Sequence, residues 1–207
     1  MEILLIFSKA VDWVNAKLGI LANACVLLAC VVSAANAMIR YAFDISSNAW
    51  LELQWYMFAV VVMFGASYTL QRNEHVRVDV FYMQLSPKLQ EWVDIIGGVL
   101  FLLPACAVMI WMSWPFFLQS VEGFPHLSAD QQGFFHWLGA AFDFLVGNTR
   151  GAEISSNAGG LIRWPVKFLV PLGFALLFMQ GLSEIIKRIA ALEGLKVELA
   201  KYERPDQ

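Results

Sequence analysis

Charge is scarce in this sequence. Only 15% of its 207 residues are Asp, Glu, Lys or Arg, against roughly a quarter in an ordinary soluble domain. Hydrophobic residues make up 59%, and the mean hydropathy is +0.60. This balance excludes a soluble globular domain and points to an integral membrane protein. Basic runs with interleaved aromatics are missing and the net charge is −3, so nucleic acid is excluded as a partner. Histidine is scarce: His75, His126 and His136 all lie outside the long apolar runs. A haem-bearing bundle needs its axial histidines inside them. Cysteine is scarce as well: Cys25, Cys30 and Cys106 sit in apolar runs with no CxxC or Cys/His spacing. That excludes a disulfide framework and a zinc site, and leaves small apolar packing residues. There is no glycine-rich phosphate loop and no nucleophile–base set. No enzymatic role, cofactor or metal site is expected.

What the sequence does contain is long uncharged runs. A bilayer core is about 30 Å thick and takes about 20 apolar residues in a helix. Four segments meet that length: 18–39, 50–70, 95–121 and 164–186. The first and third carry no charge; the second has Glu52 at its start, and the fourth has Lys167 and Glu184 near its ends. The fold expected is therefore an all-α integral membrane domain with four transmembrane helices. Residues 1–17 add an amphipathic stretch. Leu4, Phe7, Val11, Val14 and Leu18 share one helical face and Ser8, Asp12 and Asn15 the opposite one, a spacing that suits a helix resting in the membrane interface. The Ala35-Asn36-Ala37 triplet resembles a signal-peptidase site, but the apolar run before it exceeds the usual 7–15 residues. An uncleaved span is expected.

The segment 122–163 is the longest piece between spans, and its aromatic patch at 134–146 is interrupted by His136 and Asp143. That patch is too short to cross a bilayer and reads as a surface helix. With four spans, Lys and Arg in the loops divide ten against three. Both termini are then predicted in the cytoplasm, with 122–163 in the periplasm and 187–207 as a cytoplasmic tail. The pentapeptide Ile-Ser-Ser-Asn-Ala occurs at 45–49 and again at 154–158, each time just before a span. Ser and Asn are favoured helix caps there, so the repeat reads as two capping sequences or as a duplicated two-span unit.

A self-contained carrier or channel needs polar groups at mid-bilayer, where they are costly and mark a pathway. Here the spans are nearly bare: Asn23, Ser33 and Asn36 are neutral, and neither Pro104 nor Pro171 is flanked by a polar set. Helix packing is the remaining role. Ala29, Ser33 and Ala37 form a small-xxx-small row, and Gly97 and Gly98 offer a second close approach, either within the chain's own bundle or onto a partner. Arg40 ends the first span and Glu52 opens the second, so a hairpin is expected to pair them or leave both solvated. After Leu70 come Arg72, Glu74, His75, Arg77 and Asp79. This cluster is either a positive-inside stop or an ordered polar knot holding the second span to residues 80–94.

At this cluster the sequence resembles a known family. The run GASYTLQRNEHVRVDVF at 65–81, followed by LSPKLQEW at 85–92 and an apolar span, is similar to the small (Q-type) membrane subunit of tripartite ATP-independent periplasmic (TRAP) transporters. The similarity extends back through Asn36, Arg40, Trp50 and Glu52 and forward to Val121. It implies a four-span scaffold subunit in the inner membrane. Its expected partners are a large multi-span permease, which carries the substrate and sodium sites, and a periplasmic binding protein that delivers a small organic acid. The candidate structural or interface residues are Asn36, Arg40, Trp50, Glu52, Arg72, Glu74, His75, Arg77 and Asp79. Leu53 stands where members often carry a second acid, and 122–163 is longer than the connection in compact members. A self-contained oligomeric transporter or channel and the anchor of a redox complex are the competing functions. The expected lipid neighbour is the bilayer itself.

Overall fold

In a computed structural model of the chain, residues 2–44, 47–74, 82, 84–121, 153–157 and 159–195 are described. His75, Arg77, Asp79, the aromatic patch at 134–146 and the tail beyond 195 lie outside them. Helix α1 spans Glu2–Phe43, 42 residues with no proline. At 1.5 Å per residue it is about 63 Å long, twice the bilayer core. It ends where Asp44 turns left-handed (φ 54°) and donates its N–H to the Arg40 carbonyl at 3.2 Å. Helix α2 spans Asn48–Gln71 and starts at Ser47, whose hydroxyl accepts the Ala49 N–H. Its C-terminus is closed by Asn73 at φ 59°, with Asn73 N–H on Leu70 O and Glu74 N–H on Thr69 O. That paired pattern caps carbonyls a helix end leaves open, and Asn tolerates the left-handed position.

Helix α3, Pro87–Gly97, runs through a π-helical turn at Gly98–Leu102 into α4, Leu103–Val121. Pro104 accounts for the widened turn: its ring has no N–H and displaces the carbonyl four residues back. The ladder loosens one residue earlier, where Leu103 N–H reaches Gly98 O. Helix α5, Trp164–Leu192, is 29 residues long and closes on Gly194 at φ 82°. Among the described residues four helices are long and apolar enough to cross a membrane, with α5 the fourth in chain order. Among the described residues no strand occurs, only an isolated antiparallel bridge between Ile154 and Ile162.

Helix α5 is the hub: α1, α2 and α4 all pack on it, and α1 also packs on α2. Within the most apolar window of each long helix, 39% of the last is buried but only 11–17% of the others. Close approach is built in by small residues. A Cβ on Gly173 would lie 2.7 Å from the Met63 Cβ, and one on Gly19 would lie 2.6 Å from the Tyr68 ring. Gly98 faces Ile185 in the same way, whereas Gly97 has open space beside it.

The interior is more polar than the exterior. Ser8, Asn15, Glu52, Ser67, Gln180, Ser183, Lys187 and Arg188 are buried, while Leu27, Phe58, Phe101, Trp111 and Met112 are exposed. That inversion suits a lipid-facing surface, where apolar side chains need no cover and polar groups must find partners inside. The amphipathic stretch at 2–17 fits this scheme in an unexpected way. It forms no separate helix but continues unbroken into α1, and its polar face packs against α5 rather than against water.

Candidate functional site

The polar groups collect at the two ends of the bundle. At the end carrying the α1–α2 turn, residues 153–163 form a short hairpin: Ser155 N–H bonds Leu161 O at 3.0 Å and Arg163 N–H bonds Glu153 O at 2.9 Å. Its turn needs glycine at two places. Gly159 has φ 72°, and a Cβ on Gly160 would lie 2.5 Å from the Ser155 Cβ. Glu52, one turn into α2 and buried, points into this hairpin. Its carboxylate accepts the Ser155 hydroxyl, the Asn157 amide at 2.8 Å and the Leu161 backbone N–H at 2.6 Å. One turn further on, the Tyr56 hydroxyl donates to Ile162 O at 2.9 Å. Helix α2 therefore grips the hairpin with residues four apart, which share one helical face.

The same hairpin is tied to α4 and α5. Glu153 N–H reaches Ser120 O at 3.3 Å. The Glu153 carboxylate accepts the Lys167 ammonium and lies 3.4 Å from the Arg163 guanidinium. The Lys167 hydrogen bond, with the Lys167 and Arg163 charges, holds the Glu153 carboxyl below its ordinary range, against an opposing push from burial. Lys167 also sits 4.4 Å over the Phe116 ring, an attractive cation–ring contact.

At the opposite end, α1 and α5 face each other with matching polar stripes. Ser8 and Ser183 are hydrogen-bonded. Asn15 Nδ2 donates to Gln180 Oε1 at 2.6 Å, and Gln180 Nε2 donates at 2.9 Å to both Asp12 and Glu184. Lys187 completes the set, 3.2 Å from Asp12 and bonded to Glu184. Gln71 at the end of α2 adds a bond from Nε2 to Asp12 O at 2.9 Å. Next to this stripe, Arg188 pairs with Glu91 and Asp94 of α3, both at 2.6 Å, and the Tyr82 hydroxyl donates to Asp94 at 2.7 Å. The last helix thus holds α1 and α3 by buried charge at this end, and the hairpin by charge at the other.

A polar region among the described residues stays open. Between the C-terminal part of α1 and the start of α2 lies a groove of about 620 Å³. Helix α1 contributes Ser33, Asn36, Ala37, Arg40 and Tyr41, the turn contributes Asp44, and α2 contributes Leu51 and Gln54. Gln54 Nε2 is buried there without a hydrogen-bond partner. The five buried residues of α1 all precede Val26, so its second half has no deeply buried position.

Comparison with known proteins fits this architecture. The sequence model of the DctQ component of tripartite ATP-independent periplasmic transporters matches residues 29–191, most of the chain. The chain belongs to this DctQ family. A protein of Haemophilus influenzae, assigned provisionally as a TRAP transporter small permease protein, is 25% identical over 155 residues. The match covers 75% of this chain and 96% of that protein. No solved structure matches the chain significantly. The chain is accordingly a multi-pass membrane protein in a family of transporter components.

For this DctQ chain, the residues singled out from the sequence do not come together in one place. Asn36 and Arg40 come together in the open groove. Glu52 does not join them: its carboxylate is taken up by Ser155, Asn157 and Leu161. No Arg40–Glu52 pair forms among the described residues, because Glu52 is aimed across α2 at the hairpin. Trp50, in the first turn of α2, is 44% exposed. Arg72 and Glu74 cap the other end of α2, where Arg72 Nε donates to the Tyr68 hydroxyl at 3.1 Å and the guanidinium lies 5.4 Å from that ring. His75, Arg77 and Asp79 lie outside the described residues.

Sequence reasoning missed the α1–α5 stripe. The signal was there: Ser8, Asp12 and Asn15 recur every three to four residues, and Gln180, Ser183, Glu184 and Lys187 are linked by steps of three and four. Two helices with complementary polar stripes pack on each other. The repeated pentapeptide also resolves. Its first copy caps α2 through Ser47, and its second supplies Ser155 and Asn157 to Glu52. The two copies do different work. Among the described residues no cluster of three or more His, Cys, Asp or Glu is placed to hold a metal ion.

Proposed function

We propose that this chain is the non-catalytic scaffold subunit of a secondary, sodium-coupled TRAP transporter of the bacterial or archaeal inner membrane. It supports a large permease subunit that takes up a small organic acid delivered by a periplasmic binding protein. Both termini face the cytoplasm, so the hairpin 153–163 and the open groove face the periplasm, and the α1–α5 stripe lies toward the cytoplasm. Sodium and substrate bind the large subunit. The observation that carries the reading is the way α5 is fastened. Asp12, Glu91, Asp94 and Glu153 reach it from α1, α3 and the hairpin through Lys187, Arg188 and Lys167. Charges that satisfy one another in fixed pairs brace helices and are not free to carry a solute.

Transport assays in proteoliposomes test the proposal. The chain together with the large subunit and the binding protein is expected to take up organic acid under an inward sodium gradient. Omission of this chain abolishes uptake. Uptake by the chain alone, or uptake by the large subunit and binding protein without it, overturns the scaffold role.

A further inference from the structure

The second half of α1 carries polar groups that no other described residue uses. Asn23, Cys30, Ala37 and Asp44 recur every seven residues and are all exposed, with Ser33 and Arg40 beside them. At 100° per residue these positions fall within one strip of the helix surface. No hydrogen bond or ion pair of the Asn23, Arg40 or Asp44 side chain forms among the described residues, and Gln54 Nε2, buried at the rim of the same strip, has no acceptor. An amide in a bilayer core is costly until it finds a partner. Lipid tails offer no acceptor to Asn23 or Gln54. The side chains at Ser33 and Ala37 are short, so a neighbouring helix can approach closely at that level. Arg40 and the Gln54 Nε2 are donors, and Asp44, the carboxylate that lines the same groove, bonds neither of them.

We propose that this strip of α1, with the groove it forms against Leu51 and Gln54, seats one transmembrane helix of a partner polypeptide. That helix carries an Asp or Glu side chain at the level of Arg40. The proposal rests on the scaffold reading, in which the partner is the large membrane subunit. The partner helix crosses Ser33 and Ala37 at close range, its carboxylate pairs with Arg40 and accepts from Gln54, and its backbone or a polar side chain meets Asn23. Charge at Arg40 then selects the partner and fixes its depth, while the small residues supply the packing.

The full chain and the large subunit encoded with it are co-expressed and purified through a tag on this chain. Arg40→Glu and Ala37→Trp are each expected to lower the recovered large subunit at least about tenfold, the scale of one lost buried charge pair or of a blocked helix contact. Met112→Ala, on the exposed face of α4 away from the strip, leaves recovery unchanged. Melting and elution profiles of each variant chain alone match those of the unmodified chain. Replacing one Asp or Glu of the partner by Lys restores binding to Arg40→Glu. If the unmodified chain recovers no large subunit, the scaffold reading and the groove fail together. If it does and the groove variants recover as much, the groove fails alone. Variants that keep the large subunit but lose a bound phospholipid, or that only shift the chain from dimer to monomer, also overturn the proposal. They would assign the groove to a lipid or to a second copy.

Discussion

Asn15 and Gln180 lie 165 positions apart and meet through a 2.6 Å hydrogen bond, with both side chains fully buried. Gln180 spends its two amide hydrogens on Asp12 and Glu184, so its oxygen is free to accept from Asn15. The contact orders the whole α1–α5 seam. Asn15→Leu removes one donor and is expected to cost about 1 kcal/mol, the usual scale for a hydrogen bond between membrane helices. Gln180→Leu leaves two carboxylates short of a donor and costs more, about 2–3 kcal/mol. The double variant is expected to lose less than the sum of the two. Equilibrium unfolding in mixed micelles measures all three, and strict additivity would show that the two amides act separately.

Glu52 holds the hairpin, and Arg40 takes no part. Glu52→Ala removes the acceptor of the Leu161 N–H, so hydrogen exchange at that amide is expected to speed up roughly tenfold or more, the loss of one charge-assisted bond. Asn157→Ala gives a smaller change at the same amide. Arg40→Ala gives none, and the Arg40→Ala/Glu52→Ala double variant behaves as the sum of its parts. Coupling between the two positions would reinstate the pair that their closeness in sequence suggests.

How much of this was legible in the sequence follows from what each feature depends on. Span number and length come from apolar runs, which composition displays directly, and the four long helices appear where those runs are. The partner of a polar group depends on which helices pack, and that is non-local. Glu52 has Arg40 twelve residues behind it, but the side chain leaves the opposite side of α2 and finds Ser155 and Asn157 more than a hundred positions away. Lys167 and Glu184 are legible as charges near span ends, but not as bonded to Glu153 and Lys187. The seven-residue recurrence of Asn23, Cys30 and Ala37 was readable too. That it remains uncovered is known only once α2 and α5 have taken the other faces of α1.

Protonation of Glu153 is expected to loosen the hairpin in acid. Its carboxyl is held below the ordinary value of 4.5 chiefly by the Lys167 hydrogen bond. A carboxyl depressed on folding contributes stability that is present above its unfolded pKa and disappears as pH falls through the lower folded one. Protection of the Ser155 and Arg163 amides, corrected for intrinsic exchange, should therefore be constant above about pH 5 and fall below pH 4.5. Glu153→Gln starts with weaker protection and shows a shallower fall. Other acids titrate in both proteins, so the difference between them isolates this group. Equal slopes would remove Glu153 from the latch.

Lys187 is the cation on which the α1–α5 seam depends. Its ammonium, with the side chain only 7% exposed, meets Asp12 and Glu184 together. Removing one member of a buried charge set costs about 3–5 kcal/mol, because the remaining charges stay buried without compensation. Lys187→Met is therefore expected to be among the most damaging single changes in α5. Neutralising the acids at the same time should recover most of the loss: in the Lys187→Met/Asp12→Asn/Glu184→Gln protein no unpaired charge remains, and amides still bond to Gln180. Unfolding midpoints of the single and triple variants decide the matter. A triple variant no more stable than Lys187→Met would mean that the lysine acts by filling space and not by its charge.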